Sequence, residues 1–109
     1  MQIEEMVQKI DFHDSSVIEL FHENDTVQLK IDLCMWRQNG YKESDDEIKE
    51  IVLVFDAVKD YTWDSDKTED QIDYDTILKI SYNKGIFEMV LLDDVVSVIS
   101  FKGSTVRFM

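Results

Sequence analysis

The sequence predicts a mainly β (α+β) fold, an antiparallel meander of about seven strands that forms a small sandwich or a curved sheet, with one short N-terminal helix. Three observations support this prediction. Apolar and polar residues alternate over most of the chain after Asp11, which is the period of a half-buried strand. The three glycines all fall between such runs, at turn positions. Only the N-terminal segment has helical spacing. At 109 residues, a single domain covering 1–109 is expected.

The helix is predicted over residues 2–10. Its apolar residues recur at i, i+3, i+4 and i+7, and they are Ile3, Met6, Val7 and Ile10. A helix of two to three turns is marginal by itself, so it must dock its apolar face on the sheet. Cys34 and Trp36 make both faces of the second strand apolar near its end, and we expect the helix to cover that end.

The strands are predicted from period-two alternation and from the turns between them. They are residues 16–23, 27–36, 51–55, 76–82, 86–92, 95–101 and 105–109. Gly40 after Asn39, Gly85 and Gly103 are each expected to form a tight hairpin turn, since glycine adopts positive φ at no steric cost. Residues 51–55 have no polar face, which predicts a central strand covered on both sides. No internal repeat is apparent.

The acidic charge is concentrated in one part of the chain. The net charge is −13, from 24 acidic and 11 basic residues. Residues 43–75 hold 13 acids and three bases, and the apolar run 51–55 divides them into two segments interpreted as loops, 43–50 and 56–75. These loops are either solvated segments that keep the protein soluble or a docking surface for a basic protein partner.

The second interpretation predicts a set of partner-binding residues. Tyr61 and Trp63 alternate with acids in the second loop, and Tyr and Trp often dominate the binding energy of protein interfaces. The alternative for these two aromatic residues is that they close the end of the core. The predicted partner-binding residues are Asp45, Asp46, Glu47, Asp60, Tyr61, Trp63, Asp64 and Asp66.

No catalytic, cofactor or metal site is predicted. Residues 64–75 resemble a calcium loop, but Glu69 stands where the sharp turn needs glycine. His13, Asp14 and Ser15 are residue types of a hydrolase triad, yet neighbours in sequence rarely form one, and hydrogen bonds to the backbone are expected instead. An alternative function is a small-ligand-binding or enzymatic domain with a pocket near His13 and His22.

Composition also bounds compartment and partners. The acidic excess argues against nucleic-acid binding, which depends on clustered Lys and Arg. No apolar run is long enough for a membrane span, and no basic leader opens the chain, so a cytoplasmic location without a membrane partner is expected. Cys34, the single cysteine, excludes an internal disulfide. The oligomeric state stays open, because a strand at 105–109 could pair with a second copy.

The segment Asp11, Phe12, His13, Asp14 and Ser15 precedes a strand, an acidic turn and the alternating run 27–36. In this the chain resembles small uncharacterised bacterial proteins with an N-terminal Phe-His-Asp-Ser motif, some of them immunity-protein-like. The resemblance implies a bacterial, β-rich cytoplasmic protein without known catalysis that binds a toxin domain. It brings no assigned functional residues to this chain.

Overall fold

The computed structural model describes residues 1–109 and confirms a mainly β, antiparallel fold with one short helix. The helix α1 spans Ile3–Lys9, and seven residues are too few to cross a bilayer. The strands are β1 Ser16–Glu23, β2 Thr26–Cys34, β3 Ile48–Phe55, β4 Lys59–Ser65, β5 Asp75–Asn83, β6 Ile86–Asp93, β7 Val95–Lys102 and β8 Arg107–Phe108. Two 3₁₀ turns, Met35–Arg37 and Glu69–Gln71, follow β2 and precede β5.

The strands form one curved antiparallel sheet that does not close into a barrel. Its order is β4-β7-β6-β5-β1-β2-β3-β8. The sheet contains two three-stranded meanders, β1-β2-β3 and β5-β6-β7. Between them, β1 and β5 are paired at only two positions, Ser16 with Thr76 and Val17 with Asp75. The strand that follows each meander pairs with the other meander. Strand β4 follows β3 but pairs with β7, and β8 follows β7 but pairs with β3.

The two meanders repeat the same local structure at a spacing of 60 positions. Val17 pairs with Ile31 and Ile77 pairs with Leu91, and a register shift follows each first residue. Asn24 and Lys84 open the two hairpin turns with φ of 53° and 54°. The sequence shows no internal repeat, whereas the structure repeats the same pairing and turn. The repeat lies in burial and backbone conformation, which different side chains can satisfy, so it left little trace in residue identity.

The core lies between the inner faces of the two meanders. Phe55 of β3 packs on Phe87 and Phe101, with ring centroids 5.1 and 5.0 Å away. The buried face of α1 adds Ile3 and Met6, both fully inaccessible to solvent. The curvature of the sheet brings these faces together, so each meander buries the apolar face of the other.

Two of the three predicted hairpins differ from the structure. Gly85 does form the tight turn between β5 and β6, with φ of +78°. Gly40 has φ of +80°, but it lies in a longer loop between Cys34 and Ile48, so no tight hairpin joins β2 and β3. Gly103 does not turn the chain back on β7, because its N–H donates to Gly85 O (3.1 Å) and the chain crosses over to β3.

Two further expectations are wrong, those for the helix and for the segment 56–75. The helix α1 packs against β5 and the β7–β8 connection rather than on the end of β2, and Trp36 is 49% exposed. The expectation for the run 51–55 is confirmed, because it pairs with β2 on one side and β8 on the other, and Leu53 and Val54, on opposite faces of the strand, are both buried. The segment 56–75 is not a loop, since it contains β4 and a 3₁₀ turn. The short β8 is one edge of the sheet, at the place where self-association is predicted.

Candidate functional site

Strand β4 divides the predicted partner-binding residues between two faces. Its sequence alternates, so Tyr61 and Trp63 turn toward the core while Asp60 and Asp64 are exposed. Asp60 has φ of 53° and lies where the β4–β7 register shifts. This bulge and the charged side chains blunt an edge strand that would otherwise offer a free row of backbone groups.

The two aromatic residues of β4 make their polar contacts within the chain. Tyr61 Oη donates to Glu69 Oε2 (2.5 Å), and its ring stacks on His22 at 3.8 Å between centroids. Trp63 Nε1 donates to the Lys67 carbonyl oxygen (2.8 Å). Both side chains are half-buried and pack against the core. This arrangement matches the alternative in which they close the end of the core.

Tyr61 is expected to make the protein less stable in alkali. Burial, helped by the hydrogen bond to Glu69, raises the pKa of Tyr61 well above its usual value. The unfolded tyrosine loses its proton near pH 10, so above that pH the unfolded state gains free energy of ionisation that the folded state does not. The free energy of unfolding should therefore fall between pH 10 and 11.5, by up to about 1.4 kcal/mol per pH unit for this group.

Urea unfolding of the wild type and Tyr61→Phe at several pH values between 8 and 11.5 measures this contribution. The variant should lose less stability with rising pH, since it has no phenol at this position. Tyr74→Phe is the matched control, because Tyr74 is 57% exposed and should leave the slope unchanged. Equal slopes for the wild type and Tyr61→Phe would contradict the assignment.

A buried ion pair anchors the segment that follows β4. Lys67 Nζ lies 2.7 Å from Asp75 Oδ2 and 3.6 Å from Asp93 Oδ2, and Asp75 is fully buried. Burial lowers the pKa of Lys67, but the two carboxylates outweigh it and raise that pKa overall. The ion pair ties the end of β4 to the starting end of β5 and the finishing end of β6, so the exposed side chains of β4 stand on a fixed support.

An aliphatic surface lies beside the exposed face of β4. Leu92 pairs with Val96 and Val90 pairs with Val98, which places all four side chains on the outer face of β6 and β7. Leu92 is 42% exposed and Val96 is 54% exposed. We call these four residues the β6–β7 patch. The sequence contains a signal for this patch. Residues 90–92 and 95–96 are apolar at consecutive positions, so each run places at least one apolar side chain on each face of the sheet.

Carboxylates border the β6–β7 patch on two sides. Asp64 is the direct cross-strand neighbour of Val98, and Asp66 follows the end of β4. Asp94 forms the turn between β6 and β7. On the β5 side, Lys79 opposes Val90. The surface thus has an apolar centre and a mostly acidic margin.

The other predicted acidic residues lie elsewhere. Asp45, Asp46 and Glu47 belong to the loop before β3, which lies toward the opposite edge of the sheet from β4. That loop is closed locally, since Lys42 N donates to Asp45 Oδ2 (2.9 Å). The sheet therefore divides the six predicted acidic residues between separate surfaces, and only Asp64 and Asp66 border the β6–β7 patch.

The two histidines do not share a pocket. A cleft of about 440 Å³ lies beside β5 and is lined in part by His13, whereas His22 stacks on Tyr61. The neighbouring Ser15 is buried, and its Oγ accepts from Cys34 N (2.8 Å). Asp14 turns the chain with φ of 66°. These contacts give the Phe-His-Asp-Ser segment a role in shaping the entry to β1.

Comparisons with known proteins add little to these observations. No protein-family model matches the chain, and no curated protein is similar to it in sequence. A solved structure, the crystal structure of an uncharacterized protein from Neisseria gonorrhoeae, is similar at 16% identity and a TM-score of 0.49. The similarity covers 90% of this chain and 92% of that one.

Proposed function

We propose that this protein is a non-catalytic binding module that captures a basic protein partner through the β6–β7 patch and its acidic margin. The observation that supports this proposal is the exposed pair Leu92 and Val96 with Asp64 and Asp66 beside the same patch. Protein interfaces commonly have an apolar centre and a polar rim. Contiguous exposed apolar side chains rimmed by polar residues are a common mark of a protein-binding surface.

The charge of the margin selects the kind of partner. A partner bound on the patch would also contact β4 and the β6–β7 turn, which carry Asp64, Asp66 and Asp94. A partner with Lys or Arg around an apolar centre is attracted at long range, and an acidic one is repelled. The resemblance of the Phe-His-Asp-Ser segment to immunity-protein-like sequences supports the same class of function, with a basic toxin domain as the partner.

A hydrolase function has weaker support. Ser15, the hydroxyl nearest to His13 in sequence, is 1% exposed and already accepts the Cys34 amide. His13 Nε2 lies 3.6 Å from Asp14 Oδ1, and both side chains are about half exposed. A nucleophile must be reachable by substrate and by its base together, which this arrangement does not provide.

Three variants separate binding by an apolar interface from general attraction by charge. Leu92→Ser with Val96→Ser removes the exposed centre of the patch without changing net charge. Asp64→Lys with Asp66→Lys reverses the margin, and Asp45→Lys with Asp46→Lys makes the same change of charge in the loop before β3. Each variant is immobilised and exposed to extract of the organism that encodes the chain, at low and at physiological salt. Captured proteins are identified and purified.

The expected partner is basic and binds the purified wild type in a saturable, one-to-one titration. Loss of the apolar centre should weaken it by about tenfold or more, which is typical of a central interface residue. Reversal at Asp64 and Asp66 should weaken it more than the matched reversal at Asp45 and Asp46. Unchanged binding by the Leu92 and Val96 variant, with equal losses in the two charge reversals, would refute the proposal.

A further inference from the structure

The cleft beside β5 is formed by three separate parts of the chain. Its walls come from the last turn of α1 and the residues after it, from the segment 37–39, and from residues 77–80 of β5. The cleft holds about 440 Å³, which suits a small molecule. Its apolar lining consists of Val7, Ile10, Phe12, Ile77, Leu78 and Ile80.

The walls are held in place by hydrogen bonds. The Gln38 side chain accepts from Asp11 N (3.1 Å) and donates to Asp11 O (2.6 Å) and to Cys34 O (2.9 Å). This clamp joins the α1–β1 connection to the turn after β2. On the opposite wall, a register shift between Ile77 and Lys79 interrupts the pairing of β5 with β6. Such bulges redirect side chains and are frequent beside binding sites.

The charge of the cleft is opposite to that of the protein. Lys9, Arg37 and Lys79 line it against one carboxylate, Asp11, in a chain of net charge −13. Lys9 is already paired with Glu5 (2.6 Å). Arg37 Nε is 3.6 Å from Asp11 Oδ2, and its Nη1 is 3.5 Å from Asp14 Oδ2, so its carboxylate contacts are long.

Of the three cations that line the cleft, Lys79 is the one that forms no ion pair. Four lysines elsewhere in the chain also form none: Lys42, Lys49, Lys59 and Lys84. The corresponding residue of the other meander, Glu19, does have one, since it lies 3.9 Å from Lys30. The repeat thus places an unpaired ammonium at the bulge of β5 only, next to the cleft.

We propose that this cleft binds a small organic monocarboxylate with an apolar chain, its carboxylate near Lys79 and Arg37 and its chain against the apolar lining. One unpaired cation matches one negative charge. A phosphate dianion is disfavoured, because the carboxyl end of α1, with its partial negative charge, forms part of the wall. The six apolar residues of the lining offer contacts for the chain of such a ligand.

Titrations of the full chain with hexanoate, hexanamide and hexyl phosphate test this proposal. Binding is followed by the backbone amide shifts of Gln38, Leu78 and Ile80 in two-dimensional NMR. Hexanoate should bind saturably and about tenfold more tightly than hexanamide, since only the carboxylate makes charge-assisted contacts. Hexyl phosphate should bind more weakly than hexanoate.

Lys79→Gln should remove most of the difference between hexanoate and hexanamide. Lys49→Gln is the matched control, because Lys49 is also an exposed strand lysine without an ion pair but lies in β3. Equal affinity for the acid and the amide, tighter binding of hexyl phosphate, or an undiminished preference in Lys79→Gln would each overturn the proposal. So would the absence of saturable shifts with all three probes.

Discussion

Asp75→Ala should lower the free energy of unfolding by about 3–5 kcal/mol, which is the usual cost of removing one partner of a buried ion pair. Asp75 is fully buried, its Oδ2 lies 2.7 Å from Lys67 Nζ, and its Oδ1 accepts from Asp73 N (3.0 Å). Removing the carboxylate leaves Lys67 poorly solvated, with only Asp93 at 3.6 Å. Urea unfolding followed by circular dichroism measures the loss.

Further variants separate the ion pair from packing. Asp75→Asn keeps the shape and the acceptor for Asp73 N, so it should fold and lose less than Asp75→Ala. Lys67→Met with Asp75→Leu removes both charges and should cost much less than the sum of the single changes, since neither charge is stranded. Asp56→Ala breaks an exposed pair with Arg107 and should change stability far less. Additive costs at 67 and 75 would contradict a coupled pair.

The strands that alternate cleanly and are joined by local turns were predictable from sequence. The bounds of β1 are those expected, β5 is longer than expected by one residue at each end, and β6 is longer by one residue at its C-terminal end. The agreement is close because the period of two and the positive φ at Gly85 act within a few residues. The amphipathic spacing of α1 predicted that Ile3 and Met6 are buried. It could not predict which strand they meet.

The crossing strands were not predictable, because their partners are far away in the chain. Val58 and Val106 directly precede β4 and β8, and both are buried. Their burial fixes the chain at the two points where it enters the opposite meander. The sequence of β4 does alternate, with Tyr61 and Trp63 on one face, but a segment so dense in carboxylates favours the prediction of a loop. The β6–β7 patch depends on that topology, because only the position of β4 brings Asp64 beside Val98.

The aromatic contact between the two meanders predicts a second large loss of stability. Phe55 is the β3 residue that packs on Phe87 and Phe101, and all three rings are buried. Phe55→Ala should lower the free energy of unfolding by about 3–5 kcal/mol through lost burial and the cavity that remains. Phe55→Leu fills most of that cavity and should cost clearly less. Phe108→Ala, at a 44% exposed position, is the control for loss of an aromatic residue.

The same contact predicts that the two meanders unfold together, as expected of a single domain. Neither meander can bury its apolar face without the other, and β4 and β8 each belong to one meander by sequence and to the other by pairing. Trp36 follows β2, and Trp63 lies in β4 beside β7, so each tryptophan reports on one half. Trp36→Phe and Trp63→Phe leave single reporters, whose fluorescence transitions in urea should coincide with circular dichroism in each variant. A separate transition for either half, in the wild type or in Phe55→Leu, would show that the meanders are independent units and that the Phe55 contact does not couple them.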